Sequence, residues 1–273
     1  MSEVLTDITD GVGTITLNRP QRRNALSATM VAGLSETLEQ MESSQQVGCI
    51  VLTGAGGAFC SGGDVQDFDA SGGAGGGGES DSEAVEQQRH HQEQTVGRIY
   101  QCPKPVIAAL PGAVAGAGIG LALAADLRIG TPSTVFATAF AGIGLSGDFG
   151  VAWLLHHLVG PAKARELMFS PSPRLRGEEC LTAGLLNWMV EDAQLPGHTQ
   201  ETALRLAHGP SAALKAMKQN LLEAPHRTLT EAMGPEVSRH KAVGTTEEHI
   251  DAVRAFVEKR TPVFAAGWHE GSS

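Results

Sequence analysis

The chain is poor in cysteine and in positive charge. Its four cysteines, Cys49, Cys60, Cys102 and Cys180, are scattered through 273 residues with neither metal-site nor disulfide spacing. A reducing, cytoplasmic setting is the expectation. Lys and Arg number 20 against 30 Asp and Glu, a net charge of −10, which argues against nucleic acid or an anionic membrane as partner. The opening MSEVLTDITDG is acidic and polar where a secretory leader would be basic and then apolar, so no signal peptide is expected. His90 and His91 are adjacent, so on a helix both imidazoles cannot share a face as ligands, and no metal site is read there. Residues 106–125 carry no charge and approach the length of a membrane span. Pro111-Gly112 breaks that run and its many Gly and Ala residues dilute it, which argues against a span.

What is present is glycine in organised places. The apolar run 106–110, bounded by Pro105 and Pro111-Gly112, is too short for a helix and reads as a buried strand. Gly116, Gly118 and Gly120 follow, and then helix formers run up to Asp126. The pattern is strand, glycine-rich turn, short buried helix. Leu121 stands where a dinucleotide fingerprint needs its third glycine, so that motif fails. Glycine lets a ligand approach the backbone, and the free N–H groups of a first helical turn can hold a developing negative charge. Ala117 and Gly118 are therefore candidates for an oxyanion site. A plain buried helix packed on a sheet remains the competing reading.

A second strand, 47–53, also empties into a glycine-rich loop, GAGGAFCSGGDV at 54–65. The motifs FCSGGD at 59–64 and KPVIAALPGAVAGAG at 104–118 together resemble the crotonase (enoyl-CoA hydratase/isomerase) family. The resemblance runs from NRPQRRNAL at 18–26 to FVEKRTPVF at 256–264. It implies an acyl-CoA thioester as substrate, with coenzyme A as part of that substrate and no separate cofactor. Two backbone N–H groups, one per loop, would hold the thioester oxygen as an enolate forms, and they fall on Ser61 and Ala117. It also implies that Arg22, Arg23 and Ala25, with Asp64 and Val65, lie along the CoA. The basic cluster Arg19, Arg22 and Arg23 would meet its phosphates, although a solvated loop is the competing reading of each.

The remainder of the chain reads in units. Residues 4–8 and 12–17 alternate around Asp10-Gly11 as a hairpin. A helix over 26–41 follows, with Ser27 as N-cap. Residues 69–82, DASGGAGGGGESDS, cannot bury enough side chain to order themselves, and read as a lid or as a tolerated insertion. A polar helix is expected over 83–101, strands over 126–130 and 134–138, and mostly helix beyond residue 160 with one strand at 186–190. The class is α/β: a ββα spiral core over 1–200 and a helical region over 201–273. The resemblance makes that tail a trimerisation region, the trimers often paired into hexamers, with Phe256 and Lys259 reaching a neighbour's CoA.

The carboxylates decide the chemistry. Hydratases of the family hold water with two glutamates, and at those positions this chain has Gly120 and Phe140. Asp148 remains, at the position of the aspartate used by dienoyl-CoA isomerases and by the ring-epoxide isomerase of phenylacetate breakdown. It also stands where a helix should begin, so a capping role and a catalytic one are both open. One carboxylate beside an enolate can carry a proton between carbons, whereas stereospecific addition of water is easier with two. The leading expectation is an enoyl-CoA isomerase with Asp148 as base and acid. A hydratase using a non-standard group, a non-catalytic acyl-CoA binding protein and a thiolate mechanism at Cys60 are the alternatives.

Overall fold

The computed structural model describes residues 2–65, 82–170, 174–264 and 268. In chain order its elements are β1 (Val4–Thr9), β2 (Val12–Leu17), α1 (Ala28–Ser43), β3 (Cys49–Gly54), β4 (Ala58–Cys60) and α2 (Ser82–Gln92). Then come α3 (Arg98–Gln101), β5 (Val106–Leu110), β6 (Ala113–Ala115), α4 (Ala117–Ala124), β7 (Leu127–Gly130), β8 (Val135–Ala137) and α5 (Val151–Phe169). The chain continues as β9 (Leu175–Arg176), α6 (Gly177–Thr182), β10 (Trp188–Met189), α7 (Leu195–Ala207), α8 (Ser211–Glu223), α9 (Leu229–Val243) and α10 (Glu247–Glu258). The expected glycine-rich tract 69–82 falls, but for Ser82, outside the described residues.

Three successive units place one strand in each of two sheets before a helix returns the chain. One sheet runs β1-β2-β3-β5-β7-β10 and the other β4-β6-β8-β9. Pairing is parallel except for β1 with β2 and β8 with β9. This is the ββα spiral the sequence led us to expect. Side chains alternate across a strand, so Ile50 and Leu52 face the core between the sheets while Cys49 and Val51 face α7 on the outside. Burial on both faces explains why strands 49–54 and 106–110 read as continuous apolar runs.

The long apolar stretch resolves into β5, a turn, β6 and the eight-residue α4. No helix among the described residues is long and apolar enough to cross a membrane. The helix expected over 83–101 is interrupted by a π turn, Glu93–Gly97, between α2 and α3. The helical run expected from 162 is the second half of α5, which breaks at Gly160 (φ 77°, ψ 167°) before Pro161. Ser27 caps α1 as expected, its hydroxyl accepting from the Met30 N–H at 3.0 Å.

Candidate active site

Because β4 and β6 pair in parallel, the loops that follow them leave the smaller sheet at the same edge. Absent side chains let the two loops touch. A Cβ on Gly62, whose φ is 89°, would lie 2.9 Å from the Ala115 carbonyl oxygen and 3.1 Å from the Ala117 nitrogen. A Cβ on Gly118 would lie 2.6 Å from the Cys60 carbonyl oxygen. Gly116 (φ 50°) turns the chain into α4, whose first residue is Ala117.

The segment 19–26 is pinned against the first loop. The Asn24 side chain, fully buried, donates to the carbonyls of Ala55 and Ala58 at 2.9 and 2.8 Å and accepts from the Arg19 N–H at 2.9 Å. The Arg19 guanidinium donates to the Ala25 carbonyl at 2.6 Å and pairs with Glu3 and with the buried Asp64, each at 3.1 Å. Asp64 and Ala25 therefore serve this network, and the Asp64 carboxylate is engaged by Arg19. Arg19 is likewise neutralised. Of the basic cluster, Arg22 and Arg23 are left without an ion-pair partner among the described residues.

The same packing corrects one oxyanion donor. The Ser61 N–H donates to the Arg23 carbonyl at 3.0 Å and its hydroxyl to the Arg22 carbonyl at 3.2 Å, so Ser61 is already satisfied. Two residues on, Gly63 lines the cavity beside Ala117, and its N–H has no acceptor among the described residues. Sequence reasoning chose the wrong residue of the loop because the hydrogen bond that consumes Ser61 comes from a segment some forty positions away.

In front of these groups opens a cavity of about 490 Å³. Leu26, Val31, Val65, Phe140, Leu145 and Phe149 supply apolar wall, and Gln88, His91 and Asp148 supply polar side chains. Asp148 is the one carboxylate among the described lining residues. Its Oδ2 accepts from Gln88 Nε2 at 3.3 Å, while its Oδ1 is buried without a partner. Burial pushes its carboxyl above the usual range. It does not cap α5: the N-cap is Gly150, no side chain bonds the first turn, and only the Asp148 backbone carbonyl accepts, from the Val151 N–H at 3.1 Å.

Gly120 does not line the cavity; a Cβ there would lie 2.2 Å from the Phe149 carbonyl oxygen and 2.9 Å from the Phe149 Cβ. Its expected place against substrate is thus taken by Phe149, itself held in a left-handed conformation (φ 49°) by a 3.0 Å bond from its N–H to Gln92 Oε1. Phe140 is buried and forms wall. Cys60 is fully buried, which pushes its thiol up to about 12 and removes the thiolate mechanism. Phe256, 85% exposed, and Lys259 lie away from this cavity in the protomer.

A family model described as "Enoyl-CoA hydratase/isomerase" matches residues 7–267. The chain belongs to that family. It is 37% identical over 94% of its length to a probable enoyl-CoA hydratase of Rhodobacter capsulatus, covering 96% of that protein. It is 36% identical over 97% of its length to the 1,2-epoxyphenylacetyl-CoA isomerase of Escherichia coli, covering 98% of that protein. A crystal structure of a putative enoyl-CoA hydratase/isomerase from Mycobacterium abscessus superposes with TM-score 0.89 at 31% identity, over 96% of this chain and 99% of that one.

Against this family background, sequence reasoning missed Gly63, Gln88, His91 and Phe149. Gln88 and His91 stand three apart on α2 and so share a face, a spacing visible in the sequence. His90-His91 drew attention only as a failed metal pair, and no cluster of metal-binding side chains occurs among the described residues.

Proposed function

We propose that the protein is an enoyl-CoA isomerase that moves a proton through an enolate. The observation that carries this reading is the Asp148 carboxylate, the one among the described lining residues of a largely apolar cavity, at whose wall Phe149 fills the space a side chain at residue 120 would need. The thioester carbonyl would lie between the Gly63 and Ala117 N–H groups, whose dipoles take up charge as the enolate forms. The Asp148 carboxylate takes the proton from one carbon of the acyl chain. The same carboxyl then returns it to another, so atoms balance without water. Burial makes Asp148 a stronger base than an exposed aspartate, which suits abstraction beside a thioester. Coenzyme A enters with the substrate, and Arg22 and Arg23, without an ion-pair partner among the described residues, would meet its phosphates.

A hydratase reading is favoured by the names of several relatives, the Rhodobacter capsulatus protein among them. Turnover of a panel of enoyl- and epoxyacyl-CoA thioesters by wild type and Asp148→Asn, followed by mass spectrometry, separates the two. Isomerisation by the wild type should fall about 100-fold or more in the variant, with thioester binding by calorimetry unchanged. Efficient wild-type hydration that survives the substitution would overturn the isomerase mechanism. No turnover of any thioester by wild type would leave a binding protein.

A further inference from the structure

The α2 helix supplies a part of the centre that neither glycine loop contains. Its residues Gln88 and Gln92, one helical turn apart, grip two consecutive residues of the opposite wall. Gln88 Nε2 donates to Asp148 Oδ2 at 3.3 Å, and Gln92 Oε1 accepts from the Phe149 N–H at 3.0 Å. The loop they hold has no internal cap: Gly147, Phe149 and Gly150 all lie at positive φ, at 104°, 49° and 67°. Asp148 sits between these residues, and the two glutamines are its side-chain and nearest backbone tethers from another element.

We propose that Gln88 is a positioning residue for the proton-transfer carboxylate, fixing the orientation of Asp148 through its Oδ2. The inference rests on the reading of Asp148 as base. Carboxylate Oδ2 accepts a hydrogen bond from an amide that cannot itself ionise, which favours the charged form against its burial. Oδ1 is buried without a hydrogen-bond partner among the described residues, so the Gln88 amide is the side-chain contact that sets the carboxylate's orientation. The titratable group facing Asp148 across the cavity from α2 is His91. Arg89, on the outer side of the helix, is engaged by Glu86 and Glu93 at 2.6 and 2.9 Å. The wall from the other elements, Leu26, Val31, Val65 and Phe140, carries no charge.

The test compares pH–rate profiles of wild type, Gln88→Met, Gln88→Glu, His91→Gln and Asp148→Asn, together with the titration of the Asp148 carboxyl by carbon NMR. Gln88→Met keeps the length without the donor, and should lower kcat roughly tenfold with little change in KM, as loss of one hydrogen bond to a charged group would. It should move the acidic limb and the NMR titration of Asp148 to higher pH, and Gln88→Glu should move both further because a second anion then faces the first. The His91→Gln profile identifies any limb that belongs to the imidazole. Unshifted titrations in both Gln88 variants, with Asp148→Asn inactive, would overturn the positioning role and leave the base intact. Full activity in Asp148→Asn, or no turnover by wild type, would remove the base and this inference with it.

Discussion

At residue 120 the absence of a side chain decides what the neighbouring loop can be. Phe149 brings its carbonyl and Cβ into the volume that any Cβ there would occupy. Gly120→Ala should therefore cost about 2 kcal/mol through overpacking, measured by urea unfolding, and Gly120→Glu should perturb the fold rather than create a hydratase. Asp148 is the residue where stability and chemistry oppose each other. Its folded carboxyl lies above the unfolded value because of burial. Folding thus favours the protonated form, and the penalty for ionising it is absent at low pH, grows as pH rises from the unfolded toward the folded pKa, and is full above it. Asp148→Asn removes that penalty, so its melting temperature should exceed wild type near neutral pH. The difference should shrink toward about pH 3, below the ordinary aspartate pKa, where both states are largely protonated in the wild type. An equal melting temperature at both pH values would count against burial as the cause of the shift.

The elements are joined by polar groups whose role the sequence hides. Lys104, from the motif that led to the family, is fully buried, and its ammonium donates to the carbonyls of Met41 and Ser44 at 2.8 and 2.6 Å. Those carbonyls lie at the carboxy end of α1, where a cation also meets the negative end of the helix dipole. Lys104 therefore locks α1 to the start of β5. Lys104→Met should cost about 3 kcal/mol in chemical denaturation, since it strips charge-assisted hydrogen bonds from buried carbonyls while roughly conserving volume. Lys218 makes a comparable join, pairing with Asp126 at 2.7 Å and donating to the Lys104 carbonyl at 3.2 Å. The start of α4 matters differently: its first residue, Ala117, lines the cavity, and Gly62 and Gly118 let β4 and its loop come close to it.

At the scale of the whole molecule, the helical tail leaves apolar surface uncovered in the protomer. Ile250, Val253, Phe256 and Val257 of α10 are between 49% and 85% exposed, although three of them share the face a packed tail would bury. Leu229 and Val237 of α9 add to it at 78% and 57%. A symmetric assembly would remove this surface from water, and light scattering should give three or six times the 28.4 kDa chain mass. A mass of 28.4 kDa would show the face to be exposed in solution and would leave Phe256 and Lys259 without a neighbouring CoA to reach.

The strands of the larger sheet, the two glycine-rich loops, the cap of α1 and the placement of Ala117 were legible in the sequence, because each is fixed by local chemistry: apolar runs between turn residues, a hydroxyl before a helix, glycines where backbones approach. Family membership was legible for the same reason, since FCSGGD and the 104–118 segment are local motifs. The selection of Gly63 over Ser61 was not, because a carbonyl from residue 23 consumes the Ser61 N–H. Nor was the retirement of Asp64 and Arg19 into a structural ion pair, or the exclusion of Gly120 from the cavity by Phe149. Gln88 entered the site only when α2 packed across from residues 148–149. Each of these depends on which group from a distant segment reaches a hydrogen-bond partner or a volume first, and only the tertiary structure decides that.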